Sequence, residues 1–256
     1  MNARLLLAKS SLVLVLAVVA AACGATTQEI PVETPIRPKL DVTPFQRVLV
    51  AGFLSGGVDD VDGNSETVRL LRSQLRNKSG LRVIDADALP LLDLSTPKVA
   101  PGTKPKTEGE KAGVRDEKDL EAREAIFADV AYWKKIGEEF QTPLIVTGTV
   151  MFTAHQRSGY VQREEETYDT FGRRRVVPVR TYQERKGYIL KPKFVFIDGR
   201  TGATLYSESF REEVLYPANQ TTPALSSYFE LMERLMPSFL NTLSSQKVKG
   251  TRVLLK

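Results

Sequence analysis

The segment PLIVTGTVMF, residues 143–152, is the most hydrophobic stretch of the chain outside its N-terminal leader. Continuous apolar runs of this length that contain several β-branched residues are typical of strands buried on both faces of a sheet. We therefore expect residues 143–152 to form a central strand. The segments on either side determine which elements pack against it.

Three strands and a helix are predicted on the C-terminal side. KFVFID (193–198) and ATLYSESF (203–210) are joined by a short connection that contains Asp-Gly, which predicts a β-hairpin. Thr222 and Pro223 are residue types that begin helices, and apolar residues follow them at helical spacing. TRVLL, residues 251–255, is predicted to close the sheet as its last strand.

A strand–helix–strand unit is predicted on the N-terminal side. RVLVAGF (47–53) and LRVID (81–85) have the composition of strands, and Asn64 is a suitable N-cap for a helix between them. A second helix is expected over about 119–140, directly before the central strand. The segment 90–118 is rich in Pro, Lys, Glu and Gly and predicts an exposed insertion whose order stays open.

This succession of elements predicts an α/β (α+β) fold. We expect a mixed β-sheet of four to six strands with two or three helices packed on it, plus a long protruding β-hairpin. The folded part is expected to be a single domain over residues 45–256, with its insertion at 90–118 and its hairpin at 158–190.

The segment 158–190 is charged, rich in Tyr and alternating, which favours a hairpin that turns near Asp169 and Thr170. That register would place each acid of one block opposite a base of another: Glu166 with Arg173, Glu165 with Arg174 and Glu164 with Arg175. Opposite charges directly across two strands stabilise the pair by roughly 0.2–1 kcal/mol.

The same segment is the best candidate for a binding surface, because Tyr and Arg are enriched where binding energy concentrates. The alternative is a solvated ribbon whose charges neutralise one another. The candidate partner-binding residues are Tyr160, Glu164, Glu165, Glu166, Tyr168, Phe171, Arg173, Arg174, Arg175 and Tyr182.

The N-terminus has the organisation of an export signal. Residues 1–22 carry two basic residues and then an apolar run that is too short to span a membrane, as in signal peptides. Three alanines precede Cys23, the only cysteine, and this arrangement resembles the lipobox of bacterial lipoproteins. The resemblance implies cleavage before Cys23, lipidation of that cysteine and, because Gly24 follows it, an outer-membrane protein that faces the periplasm. The proline-rich segment 23–44 is predicted to be an extended tether.

Charge and composition argue against nucleic acid as a partner. Loss of Arg4 and Lys9 with the leader leaves 34 of the 36 basic residues against 31 acidic ones, a net charge of +3. Such a mixed surface lacks the concentrated basic charge of nucleic-acid-binding domains.

Several phrases together resemble a known envelope family: RVLVAGF, RLLRSQLRN, LRVID, KKIGEEFQTPLIVTGTV and FVFIDGRTGATLYSESF. They are similar to the periplasmic α/β domain shared by the curli-secretion lipoprotein CsgG, the penicillin-binding-protein activator LpoB and the amino-terminal domain of TolB. The similarity covers roughly residues 45–256 outside the insertion and the hairpin. It implies a domain that binds proteins or assembles into rings and catalyses nothing.

The membrane-spanning role of the hairpins of CsgG does not fit residues 158–190. A membrane strand needs one apolar face, and the charged blocks place charge on both faces. We therefore expect a non-enzymatic envelope lipoprotein that binds a protein partner or itself. The alternatives are a ring-forming secretion component closer to CsgG and an enzyme acting on cell-wall polymers.

Catalytic and cofactor motifs are weak. His155 is the sole histidine, and no nucleophile motif accompanies it, so a surface role is expected. The loop from Ser55 to Gly63 contains several Asp and Gly residues but lacks the frame of a calcium loop and of a phosphate-binding loop. The sequence thus predicts no enzyme, no cofactor and no metal.

Overall fold

The structure is a computed structural model that describes residues 27–95 and 114–255. The predictions for the signal peptide, for lipidation of Cys23 and for the middle of the insertion lie outside these residues. The chain divides into two units, one formed by residues 38–244 and one by the described parts of residues 1–37 and 245–256. None of the helices in the described ranges is long and apolar enough to cross a membrane.

The described residues form eight strands and five α-helices. The strands are β1 Thr27–Ile36, β2 Arg47–Gly57, β3 Arg82–Ile84, β4 Leu144–Tyr168, β5 Arg174–Asp198, β6 Thr204–Ser209, β7 Glu212–Pro217 and β8 Gln246–Leu255. The helices are α1 Gly63–Lys78, α2 Leu91–Leu94, α3 Glu117–Arg123, α4 Val130–Glu139 and α5 Ala224–Leu243, with a 3₁₀ helix at Glu124–Ala128.

The larger unit is built on a mixed six-stranded sheet, which confirms the predicted fold class. The strand order is β3-β2-β4-β5-β6, and β7 also pairs with β5. β2 runs parallel to β3 and β4, whereas β5 is antiparallel to β4, β6 and β7. The central-strand prediction for residues 143–152 is confirmed, because β4 lies between β2 and β5 and is buried from Leu144 to Phe152.

Helices cover both faces of this sheet because β4 and β5 carry apolar side chains on both faces. On one face, α1 and α5 bury a core in which Phe194 packs against Phe53 and Phe239 at ring-centroid distances of 6.0 and 4.8 Å. On the other face, Trp133 of α4 packs in a second core with Ile145. Full burial of one such apolar side chain stabilises the fold by about 1.5–3 kcal/mol.

Three helix boundaries differ from the predicted ones. The first helix begins at Gly63 because the carboxylate of Asp62 accepts a hydrogen bond from the amide of Ser65 at 3.1 Å. The helix expected over 119–140 is broken, since Asp129 caps a new helix by accepting from the amide of Tyr132 at 3.0 Å. Pro223 precedes α5, and no side chain caps that helix.

Asn64, the predicted cap, instead ties the first helix to its neighbours. Its side-chain oxygen accepts from the amide of Phe53 at 2.8 Å, and its side-chain nitrogen donates to the carbonyl of Leu89 at 3.2 Å. These contacts hold β2, the start of the first helix and the residue just before the insertion together.

Both ends of the segment predicted as an exposed insertion are packed into the larger unit. Leu91 and Val114 are buried in the second core. Val114 forms a bridge with Gly56, where an added Cβ would lie 2.6 Å from the carbonyl oxygen of Val114. The expectation of an exposed segment is therefore wrong at these ends, because the apolar residues there find a core to join.

The last strand does not close the main sheet, contrary to the prediction for residues 251–255. β8 instead pairs with β1 in a separate antiparallel sheet, with Thr27 opposite Leu255 and Ile36 opposite Gln246. Residues 27–36 of the predicted tether are therefore extended, as expected, but they are paired with β8. A two-stranded sheet suits β1, since each of its strands is an edge strand and can hold Pro31 and Pro35 without losing ladder hydrogen bonds.

Candidate functional site

The predicted hairpin is a continuation of the two central strands. β4 and β5 pair without a register shift from Leu144 opposite Asp198 to Tyr168 opposite Arg174. The pairing of β4 with β2 ends at Phe152. Beyond that point residues 153–189 form a protruding hairpin, called the ribbon below, whose strands extend for about 50 Å at ~3.4 Å per residue. Strand β7 pairs with the base of the ribbon from Arg185 to Ile189, and the ribbon is two-stranded from there to its tip.

The tip of the ribbon is a loop organised by one carboxylate. Asp169 accepts hydrogen bonds from the amides of Phe171 and Arg173, both at 2.9 Å, and from Nε of Arg173 at 3.0 Å. The pKa of Asp169 lies below its usual range, chiefly because of the bond from the Arg173 amide. Gly172 closes the loop at φ 73°, in the left-handed region that favours glycine.

The predicted register of the hairpin is wrong. The structure places Tyr168 opposite Arg174 and Glu166 opposite Val176, so the three predicted acid–base pairs are not directly opposed. The loop is centred on Phe171 and not between residues 169 and 170. Turn geometry sets hairpin register, and here it outweighs the small gain from cross-strand charge pairs. An Asp followed three residues later by Gly is the signal that could have located this loop.

One acid–base contact forms between two residues that were not predicted to pair with each other. The Arg174 guanidinium donates to the carboxylate of Glu166, although Arg174 stands opposite Tyr168. Side chains of this length reach diagonal neighbours on the same face of a two-stranded sheet. The charges near the tip are therefore partly neutralised within the ribbon.

Directly opposed residues share a face, so the ribbon has two distinct faces. The even-numbered positions form the aromatic face, on which Tyr160 and Tyr182 stand opposite each other with an edge-to-face ring contact at 5.3 Å. This face carries six of the predicted site residues: Tyr160, Glu164, Glu166, Tyr168, Arg174 and Tyr182. Glu165 and Arg175 lie on the opposite face, away from the aromatic rings.

The aromatic side chains of the ribbon are open to solvent, except for Tyr188 at its base, which stacks on Phe152. Tyr160 is 76% exposed and Phe171, at the tip, is 81% exposed. The Arg173 guanidinium lies 5.3 Å from the centroid of the Phe171 ring, which is within cation–π range. The ribbon thus presents a row of aromatic rings that no other part of the described chain covers.

Sequence reasoning missed the composition of the other face. With the observed register, the odd-numbered positions place Arg157, Arg163, Arg175 and Arg185 on one side of the ribbon. Only Arg175 belongs to the predicted site. The predicted register differs from the observed one by three residues, and an odd shift moves every side chain of one strand to the other face relative to its partner.

The remaining candidates form no cluster with these residues. His155 lies at the base of the ribbon, where its Nε2 is 3.5 Å from a carboxylate oxygen of Glu213. In the loop from Ser55 to Gly63, Asp62 is used as the helix cap. Within residues 27–95 and 114–255, no three metal-ligating side chains lie close enough together to hold a metal ion.

Comparison with known proteins gives distant structural likenesses. The chain matches no known family profile and no curated protein. It is similar to the lipoprotein GNA1162 from Neisseria meningitidis with 14% identity and a TM-score of 0.35, over 76% of this chain and 98% of that one. It is also similar to a putative neuraminyllactose-binding hemagglutinin homolog from Helicobacter pylori with 10% identity and a TM-score of 0.38, over 84% and 89%. The resemblance to CsgG, LpoB and TolB stays a prediction.

Proposed function

We propose that this chain is a lipid-anchored envelope protein that binds another protein through the ribbon and catalyses no reaction. The observation that carries the proposal is the row of exposed aromatic side chains on a ribbon that projects beyond the sheet. Acylation of Cys23 would hold the chain on a membrane, and the outer membrane with the folded part in the periplasm is the proposed location.

The ribbon has the physical properties of a recognition element. Tyr and Phe bring large contact areas and have few rotatable bonds, so little side-chain entropy is lost when a partner covers them. The ladder of β4 and β5 already orders the backbone, which reduces the entropy lost on binding. A partner that covers Tyr160 and Phe171 would remove apolar surface that is otherwise in water.

Self-assembly is the second candidate, and the unpaired edges of the ribbon favour it. Residues 158–168 of β4 and 174–184 of β5 have strand partners only in each other among the described residues. Open strand edges can pair with further strands. A second copy of the chain is therefore the alternative partner to a different envelope protein.

A photocrosslinking amino acid at Phe171 tests the proposal in intact envelopes. We expect a discrete crosslinked product from this position and none from a matched position at Leu205, which is 41% exposed on β6. A product of twice the mass of the chain would identify self-assembly. Absence of a product at Phe171, or equal products from both positions, would contradict binding through the ribbon.

A further inference from the structure

The odd-numbered face of the ribbon, called the arginine face below, carries an excess of positive charge. Its charged residues between positions 157 and 185 are Arg157, Arg163, Arg175 and Arg185 with the single acid Glu165. Over the same length the aromatic face carries three acids and two bases: Glu164, Glu166, Glu184, Arg174 and Arg180. The charge asymmetry is thus a property of one face and not of the ribbon as a whole.

The arginine face is not neutralised within the chain. Arg157 and Arg185 stand directly opposite each other, and like charges in that position destabilise a strand pair. None of the four guanidinium groups of this face forms an ion pair with a carboxylate in residues 27–95 or 114–255. Arg185 donates only to the side-chain oxygen of Gln183, at 3.1 Å. An anionic partner would relieve this repulsion.

The spacing of the arginines along the ribbon defines the shape of that partner. The row of Arg157 and Arg185 is six positions from Arg163 and ten positions from Thr167, which stands opposite Arg175. At ~3.4 Å per residue these intervals are about 20 and 34 Å. Both intervals are even, so an extended segment that follows the ribbon would present acids at positions i, i+6 and i+10 from a single face.

We propose that the arginine face binds an acidic, extended segment of a protein partner. This inference rests on the proposed function and names the chemistry of the partner. Carboxylates at the three positions accept hydrogen bonds from the guanidinium groups, whose fork geometry matches a carboxylate. Apolar side chains of the segment pack on Val161 and Val177, which are each 41% exposed on the same face.

A protein segment fits this surface better than an anionic bilayer does. A membrane-binding element places its cations and its aromatic anchors where both reach the same interface. The two arginines of the aromatic face are outnumbered there by three glutamates. The excess of arginine therefore lies on one face of the ribbon, and Tyr160, Tyr168 and Tyr182 lie on the other. A flat bilayer cannot contact both sets at once, whereas an extended segment needs only the narrow row of arginines.

The test uses the full chain in detergent and a fluorescent peptide of about eleven residues, with Glu at positions 1, 7 and 11 and Val at positions 5 and 9. We expect anisotropy to show binding that weakens with added salt and that is lost when Gln replaces the three Glu residues. The double variant Arg157→Gln/Arg185→Gln should bind at least about tenfold more weakly. The matched variant Arg180→Gln/Lys186→Gln on the aromatic face should change binding by less than about twofold.

Three results would overturn the inference. The first is equal affinity for the Glu and Gln peptides, and the second is an equal loss of peptide affinity in the two double variants. The third is a Cys23→Ala chain that binds anionic vesicles through Arg157 and Arg185 but does not bind the peptide. Crosslinking from Phe171 separates this inference from the proposed function. If the Arg157→Gln/Arg185→Gln variant still crosslinks to its partner in full yield, the inference that the partner contributes an acidic segment is wrong, but the proposal of binding through the ribbon is not affected.

Discussion

Shortening the ribbon should leave the stability of the fold nearly unchanged. In the proposed variant, Asn-Gly replaces residues 161–181, so that Tyr160 and Tyr182 flank a two-residue turn in the existing register. Nearly all side chains that are removed are exposed; only Asp169 and Val179 are half-buried. The deletion therefore removes little buried apolar surface from the larger unit.

The magnitude follows from two opposing contributions. The removed hydrogen bonds and the half-buried Val179 stabilise the ribbon, but ordering its backbone costs about 1–2 kcal/mol per residue. Two-stranded ribbons are accordingly marginal in water. We expect the free energy of unfolding to change by no more than about 1 kcal/mol, which corresponds to roughly 2–4 °C in Tm for a chain of this size.

Thermal melting followed by circular dichroism measures this change, with Phe194→Ala as the matched control. Phe194 is buried between Phe53 and Phe239, so its truncation should cost about 3–5 kcal/mol and lower Tm by roughly 6–20 °C. A fall of that size in the shortened variant would show that the ribbon belongs to the folding core, and the reasoning would be refuted.

Three further perturbations test other parts of the account. Cys23→Ala should release the chain from membranes without unfolding it, because acylation is the proposed anchor; membrane fractionation shows this, and a variant that stays bound would contradict lipidation. Burial opposes ionisation of Asp198, but hydrogen bonds from Arg200 outweigh it and hold the pKa of Asp198 below its usual range. The ionised carboxylate therefore stabilises the fold above the unfolded-state pKa of ~3.9, and this contribution is lost as the pH falls through the lower folded-state pKa. Urea unfolding should show that Asp198→Asn has a lower free energy of unfolding than the native chain at pH 7 and a nearly equal one at strongly acidic pH. A difference in free energy that does not change with pH would contradict this role of Asp198. Deletion of residues 246–256 removes the strand partner of Thr27–Ile36, so a glutamate-specific protease should cut that segment faster; an unchanged rate would show that the pairing does not protect it.

Local sequence patterns were sufficient where burial alone decides the structure. Residues 143–152 form the central strand because a continuous apolar run of that length has to be covered on both faces. The hairpin of β5 and β6 follows from the apolar run KFVFID, the alternating run ATLYSESF and the short polar connection at Asp198 to Gly202. In both cases the residues of the segment itself are sufficient to predict the strand or hairpin that it forms.

The rest depends on contacts between distant residues or on turn geometry. Asp62 and Asn64 are equally good caps by composition, and the contacts of Asn64 with Phe53 and Leu89 decide between them. The partner of β8 lies at the opposite end of the chain, so residues 251–255 resemble any other strand. In the ribbon, the loop at Asp169 fixes the register, and with it the face on which each arginine lies.

Capture of a partner by the shortened ribbon variant tests the central claim most directly. The full chain and the variant lacking residues 161–181 would be expressed at equal levels in the same cell strain. Both would then be crosslinked in intact envelopes and purified under denaturing conditions. The account predicts a specific crosslinked partner on the full chain and none on the variant, although both fold. Recovery of the same partner in the same yield from the variant would contradict binding through the ribbon.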